Sequence, residues 1–307
     1  MPLRPTDLPP GVLFARAELL RRGAHERLLA SSAFTRVLPG YYMRTDAPAP
    51  LLAIPGTLQT GIVPNATVSH ATAGELLGIP LPRTFSRQGG ALLHCRSSEP
   101  SWAGRANSCY VVHRGGEPAQ RCRIAGVLMS HPVLVLQELS PGLRHDDLVV
   151  GLDAVISGKG MRVPAVPRKA VQQIVENLRG RGAAALRKAF ADAAENVWSP
   201  METRVRLLLI RSGFGAAVAN FEVRDPVTGQ LFYIDLGYPF LKIAIEYDSE
   251  EHRTNRRQWQ RDLHKDEVLH QLGWVVLRIS IADVVSPQRF LHRLSAAIER
   301  AQAVLAV

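Results

Sequence analysis

Residues 231–279 read LFYIDLGYPFLKIAIEYDSEEHRTNRRQWQRDLHKDEVLHQLGWVVLRI, and this stretch decides the fold. Residues 231–236 and 242–247 have the composition of strands. Within the second, Ile243, Ala244 and Ile245 form a nearly continuous apolar run, the pattern of a strand covered on both faces. From about Asn255 to Leu272, the apolar residues Trp259, Leu263, Leu269 and Leu272 predict a helix, and Gly273 stops it. Residues 274–279, WVVLRI, make a further apolar strand. A helix between the last two strands predicts that they pair in parallel on a mixed sheet.

Working outward, Ser199-Pro200-Met201-Glu202 predicts a helix start, with Ser at the cap, Pro in the first turn and Glu three residues after the Ser. Residues 221–224 form a short strand, and a last helix spans 287–304. The order from residue 198 onward is α-β-β-β-α-β-α. Three acids stand out against it: Asp235 near the end of one strand, and Glu246 and Asp248 on the next. Side chains two apart on a strand share a face, so Glu246 and Asp248 point the same way, and Asp235 meets them if the two strands pair. Carboxylates gathered at strand ends repel one another unless a cation sits among them. Mg²⁺, or Mn²⁺ in its place, suits such oxygen ligands and leaves positions for a phosphate. Glu202 offers a fourth acid from the preceding helix. His252, in DSEEHR, offers an imidazole that takes or gives a proton. A Glu-x-Asp pair at a strand end also has a plain reading as a solvated edge, and Glu202 as a cap.

Asp235, Glu246-x-Asp248, His252, Arg261-Asp262 and the run Leu269-x-x-x-Gly273-Trp274-x-Val276-x-Arg278 resemble the very-short-patch-repair (Vsr)-like endonuclease domains of the PD-(D/E)XK nuclease superfamily. The resemblance covers roughly the last third of the chain. It implies a Mg²⁺-dependent DNA-cleaving fold, with Asp235 and Glu246 as metal ligands and Glu202 as the helix acid. Asp248 occupies the place where the superfamily usually has lysine, leaving Asp248 to bind metal and His252 to serve the water. Arg256, Arg257 and Arg278 would contact phosphates.

Upstream, the residues separate into three further segments. Residues 1–50 hold two short helical patterns, FARAELLRR (14–22) and HERLLAS (25–31). The β-rich FTRVLPGYYM (34–43) follows, with a Pro39-Gly40 turn. Helix, turn, helix and hairpin is the order of a winged helix-turn-helix, and equally of a small helical cap on the next domain. Residues 51–160 mix helices and strands, an α+β pattern with scattered polar residues. Residues 161–197 are Ala- and Leu-rich and helical, with a basic cluster at Arg179, Arg181, Arg187 and Lys188. That cluster reads either as a solvated face or as a surface that tracks phosphates. Residues 198–307 complete a multidomain α+β or α/β chain.

RVLPGYY followed by SHATAGELLGIPLP resembles, more loosely and over about the first half, the AbiEi-type antitoxins of type IV toxin–antitoxin systems. The resemblance implies a transcriptional regulator with an N-terminal winged helix-turn-helix, and a cognate toxin as a partner. On such a domain Arg27 would read DNA from the second helix, while Arg36 and Arg44 would lie on the wing.

Composition agrees with a polyanionic partner. Lys+Arg is 37 against Asp+Glu 27, a net +10 over 307 residues, and arginine dominates the basic side. No apolar run approaches the ~18–20 residues that span a bilayer, and MPLRPTDLPPG lacks the apolar stretch of a secretory signal. Cys95, Cys109 and Cys122 are odd in number and spread out, which suits a reducing cytoplasm. Buried thiols fit that spacing better than a zinc site with His94 and His113. Two functions follow. One is a DNA endonuclease. The other is a DNA-binding regulator or antitoxin-like protein whose nuclease fold is inactive and serves affinity or homodimerisation.

Overall fold

The computed structural model describes residues 3–86, 92–102, 104–115, 120–248 and 256–306, the side chains of 256–260 apart. Contacts divide the chain into two compact units. Residues 1–147, 161–164 and 174–187 form the first, and 148–160, 165–173 and 188–307 the second. Three sheets and twelve α-helices among the described residues make the fold mixed α and β, the class expected from the sequence.

The first unit opens with β1 (Phe14–Ala15), α1 (Arg16–Arg21), α2 (Glu26–Leu29), β2 (Phe34–Leu38) and β3 (Tyr41–Arg44). The strands form an antiparallel sheet in the order β1-β3-β2. Leu19 and Leu29, one from each helix, meet Leu8, Phe14 and Phe34 in a small core. Helix α2 is one turn long, shorter than the pattern over 25–31 predicts. His25 caps its start, Nδ1 accepting from the Leu28 N–H at 3.2 Å, and the Ser31 hydroxyl donates to the Leu28 carbonyl at its end.

The rest of this unit holds α3 (Ala53–Thr57), β4 (Thr67–Val68), α4 (His70–Leu77), β5 (Leu93–Ser97), β6 (Tyr110–Arg114), β7 (Arg121–Ile124), β8 (Val127–Ser130) and α5 (Pro132–Leu139). The sheet order is β6-β5-β4-β8-β7. The strand-like run near 123–127 is in fact a hairpin corner. Ala125 (φ 45°) and Gly126 (φ 85°) turn the chain, since both left-handed residues of such a tight turn match the twist of paired strands. Helices α6 (His145–Ser157), α7 (Arg168–Asn177) and α8 (Ala183–Ala191) follow, and residues 174–187 of the last two belong to the first unit.

The second unit contains α9 (Pro200–Arg211), β9 (Val218–Arg224), β10 (Leu231–Tyr238), β11 (Ile243–Tyr247), α10 (Arg256–Gln271), β12 (Val275–Ile279), α11 (Ile281–Val285) and α12 (Gln288–Leu305). Its sheet runs β12-β11-β10-β9, with β11 and β12 parallel and the other pairs antiparallel. Strand β11 is interior, and Ile243, Ala244 and Ile245 are 0–1% exposed. Ile243 and Ile245 pack with Val205 and Leu209 of α9 and Phe290 and Leu294 of α12. Ala244 packs with Leu269 of α10 and with Trp274. The strand is therefore covered on both faces, and residues in step with Ala244 face α10.

Candidate active site

Antiparallel pairing of β10 and β11 joins Leu236 to Ile245, which sets Asp235 beside Glu246 one step further along. Asp235 also fixes the strand end, its Oδ2 accepting from the Tyr247 N–H at 2.9 Å. On the other side of β10, strand β9 kinks at Asn220 (φ 47°), between the paired Ala219 and Phe221. Around that kink Ile234 packs in the cluster on the α10 face, and Leu236 in the cluster beneath α9 and α12. A kink of this kind re-aims the intervening side chain.

Glu246 is in step with Ala244 and so faces α10. There its Oε2 accepts from Lys265 Nζ at 2.5 Å. Its Oε1 is buried with no partner among the described residues. Burial, and then the nearby Asp235 charge, pushes the Glu246 carboxyl up to about 7, against the pull of Lys265. Asp235, Glu246, Asp248, Asp262, Lys265 and Arg278 line one small cavity of about 170 Å³. Asp248 is held at the rim by its N–H, which donates to the Ile279 carbonyl. Arg278, opposite Glu246 in the parallel register, pairs with Asp266.

The orphaned Glu246 oxygen beside Asp235 suits a hard cation. Among the described residues no three His, Cys, Asp or Glu side chains form a group able to hold an ion by themselves. Two carboxylates completed by water and phosphate oxygens is the way Mg²⁺ is commonly bound.

Glu202 is 6% exposed, and its N–H donates to the Ser199 hydroxyl that caps α9, but the capping box expected there is not closed, because the Glu202 carboxylate turns to other donors. Its Oε2 accepts from the Trp198 N–H at 2.8 Å and from Asn220 Nδ2 at 2.6 Å. Burial, with Asp235 adding to it, raises its pKa. It lines a second cavity that shares Asp235, Asp262 and Lys265 with the first. His252 lies outside the described residues. Arg256 and Arg257 stand at the start of α10, with side chains outside the description. In the first unit Arg27 and Arg36 are exposed. Arg44 is committed: it donates to both Asp46 oxygens, at 3.0 and 2.7 Å, and to the Leu8 carbonyl at 2.8 Å.

Lys265 is the residue that the sequence reading passed over. Its signal was the i, i+4 spacing Arg261–Lys265 and Asp262–Asp266 on one helix, which brings two cations and two acids to the face turned to β11. The first unit holds a second gathering that looked scattered in sequence. His70, His94 and His113 stack ring on ring, and Glu138 binds the His70 N–H. Cys95, next to His94 in the chain but packed in the apolar core with Leu93 and Val112, is buried, and burial lifts its thiol to about 12. No helix among the described residues is long and apolar enough to cross a membrane.

No protein-family model matches the chain. Two curated relatives from Mycobacterium tuberculosis are 28% identical to it over 241 residues, which is 78% of this chain and 83% of theirs. They are Uncharacterized protein MT2308 (strain CDC 1551 / Oshkosh) and Uncharacterized protein Rv2248 (strain ATCC 25618 / H37Rv).

Proposed function

We propose that the second unit is a divalent-ion-dependent DNA endonuclease of the Vsr-like, PD-(D/E)XK type, and that residues 1–50 bind DNA as a winged helix-turn-helix. The observation that carries the reading is the meeting of Asp235, Glu246 and Lys265 from two strands and a helix. Lys265 supplies from α10 the ammonium that position 248 lacks.

Asp235 and Glu246 would hold Mg²⁺ or Mn²⁺, which when bound activates water and offsets charge on the scissile phosphate. Glu246 must be ionised to do so, and Lys265 favours that form. The Lys265 ammonium also places positive charge where an attacking oxygen and the phosphate would develop negative charge. Asp248 would assist as a water-side acceptor, and Arg278 would contact the phosphate backbone beside its bond to Asp266.

Asp248 in the usual lysine place favours a second reading. There the chain is a transcriptional regulator or type IV antitoxin-like protein, whose nuclease fold serves DNA binding, dimerisation or a toxin contact. Duplex, nicked, mismatched and single-stranded DNA incubated with the protein in Mg²⁺, Mn²⁺ or EDTA decides between them. Cleavage that needs metal and disappears in Asp235→Ala supports the nuclease. Binding without cleavage under every condition supports the regulator.

A further inference from the structure

We infer that the first unit carries a second site, independent of the carboxylate cluster, that binds a small phosphate monoester of mononucleotide size. The site is a cavity of about 630 Å³, within the ~300–1,000 Å³ usual for small-ligand sites. Arg96, Arg114, Arg179 and Arg181 line it, with Glu138 as its acid.

Glu138 is already satisfied. Its Oε1 accepts from Arg96 at 2.9 Å and from the Ser130 hydroxyl at 3.1 Å, and its Oε2 from the His70 N–H at 2.8 Å. One acid matched by one arginine leaves three further guanidinium groups on the wall, of which Arg179 donates through Nη1 to the Glu176 and Leu178 carbonyls, both at 2.9 Å. Neither Arg114 nor Arg181 pairs with a carboxylate among the described residues. Arg96 keeps a buried Nε with no acceptor among the described residues. Guanidinium forks match phosphate oxygens in pairs, so a concave wall with this excess selects a doubly charged phosphate over a carboxylate.

The wall is built rather than incidental. His70 holds a left-handed backbone (φ 51°), a conformation costly for a residue with a side chain, and Glu138 fixes it through the N–H. Its ring stacks on His113 at 3.6 Å, while His94 Nδ1 and His113 Nε2 share a hydrogen bond of 2.8 Å. Burial holds His70 near pKa 3 and His113 near 4, so both imidazoles are neutral and add hydrogen-bonding edges without charge. The turn bearing Arg179 and Arg181 is clamped to α5. Gln137 Nε2 donates to the carbonyls of both, at 2.7 and 3.2 Å. A Cβ on Gly182 would fall 2.2 Å from Ser140 Oγ and 2.4 Å from the Gln137 carbonyl, so only glycine permits that approach. Leu134 and Pro141 give the cavity an apolar side, which suits the ring of a nucleoside rather than a bare anion.

Isothermal titration of the full-length protein tests this with AMP, adenosine, inorganic phosphate, and an oligodeoxynucleotide with and without a 5′-phosphate. AMP is expected to bind, adenosine to bind at least ~100-fold more weakly, and phosphate more weakly than AMP. The double variant Arg114→Gln/Arg181→Gln changes two exposed side chains and should keep the wild-type melting temperature. It should lose AMP affinity by about tenfold or more, the loss of one or two charge-assisted hydrogen bonds. The site is not a mononucleotide site if AMP fails to bind, if the double variant binds it equally, or if phosphate binds as tightly. The oligonucleotide, held by other surfaces of the chain, should keep its affinity in the double variant; a loss of that affinity regardless of the 5′ group overturns the site too, and makes the face a nucleic-acid track.

Discussion

Lys265 Nζ lies 2.5 Å from Glu246 Oε2, joining the middle of α10 to the end of the interior strand β11. The bond is nearly enclosed, with the two side chains 15% and 12% exposed. If the second unit is a nuclease, Lys265→Met should reduce single-turnover cleavage by ~10²–10³, the range for removing one preorganised charge donor. DNA affinity should change little. Cleavage within a few-fold of wild type would assign Lys265 to structure alone.

Glu246 should make stability fall as pH rises. Its ordinary value of 4.5 holds in the unfolded chain and about 7 in the folded one, so between these the folded state binds more protons. Stability then declines across pH 4.5–7 with a slope of up to about 1.4 kcal/mol per pH unit, and levels off above. His70 and His113, depressed by burial, tilt the other way: they cost stability as pH falls below 6.5. The difference between wild type and Glu246→Gln in urea unfolding from pH 5 to 8 isolates the carboxyl. Parallel curves would show that Glu246 titrates normally.

Much of the second unit was legible because its signals are local. The Ser199 cap, the apolar run 243–245 and the Gly273 stop each act within a few residues, and the parallel pairing follows from the helix between two strands. The Asp235–Glu246 juxtaposition was readable once those strands were paired. Lys265 was not, because its partner lies 19 residues away and only the crossover brings α10 over β11. The His70, His94 and His113 stack was less legible still. It depends on β5 and β6 running in parallel and on one left-handed backbone at His70, neither of which leaves a mark in composition or period. Arg44 looked like a free wing cation, since nothing in the sequence shows that Leu8 will offer its carbonyl from 36 residues away.

Asp153 should be a stability determinant of the second unit. It is 1% exposed and accepts from the Ala194 N–H at 2.7 Å, Thr203 Oγ1 at 2.9 Å and Arg206 Nη2 at 2.9 Å. These bonds tie α6 to α9, the helix that packs under β11. Asp153→Ala strips the buried Arg206 of its counter-charge and leaves three donors unmatched. The expected loss is about 3–5 kcal/mol in chemical denaturation. A loss under ~1 kcal/mol would mean that water replaces the carboxylate.

If residues 1–50 bind DNA, that binding should depend on Arg27 and Arg36 and not on Arg44. Arg27 on α2 and Arg36 on β2 are exposed. Arg44, three of its guanidinium nitrogens bonded to Asp46 and Leu8, has little left for a phosphate. Each phosphate contact contributes about one unit to the slope of log affinity against log salt. Arg27→Gln/Arg36→Gln should therefore weaken binding to a duplex and flatten that slope by about two. Arg44→Gln should lower the melting temperature, through the lost tie to Leu8, and leave the slope unchanged. Fluorescence anisotropy at several salt concentrations separates the two. An unchanged slope in the double variant would remove residues 1–50 from the DNA interface and leave the second unit to bind alone.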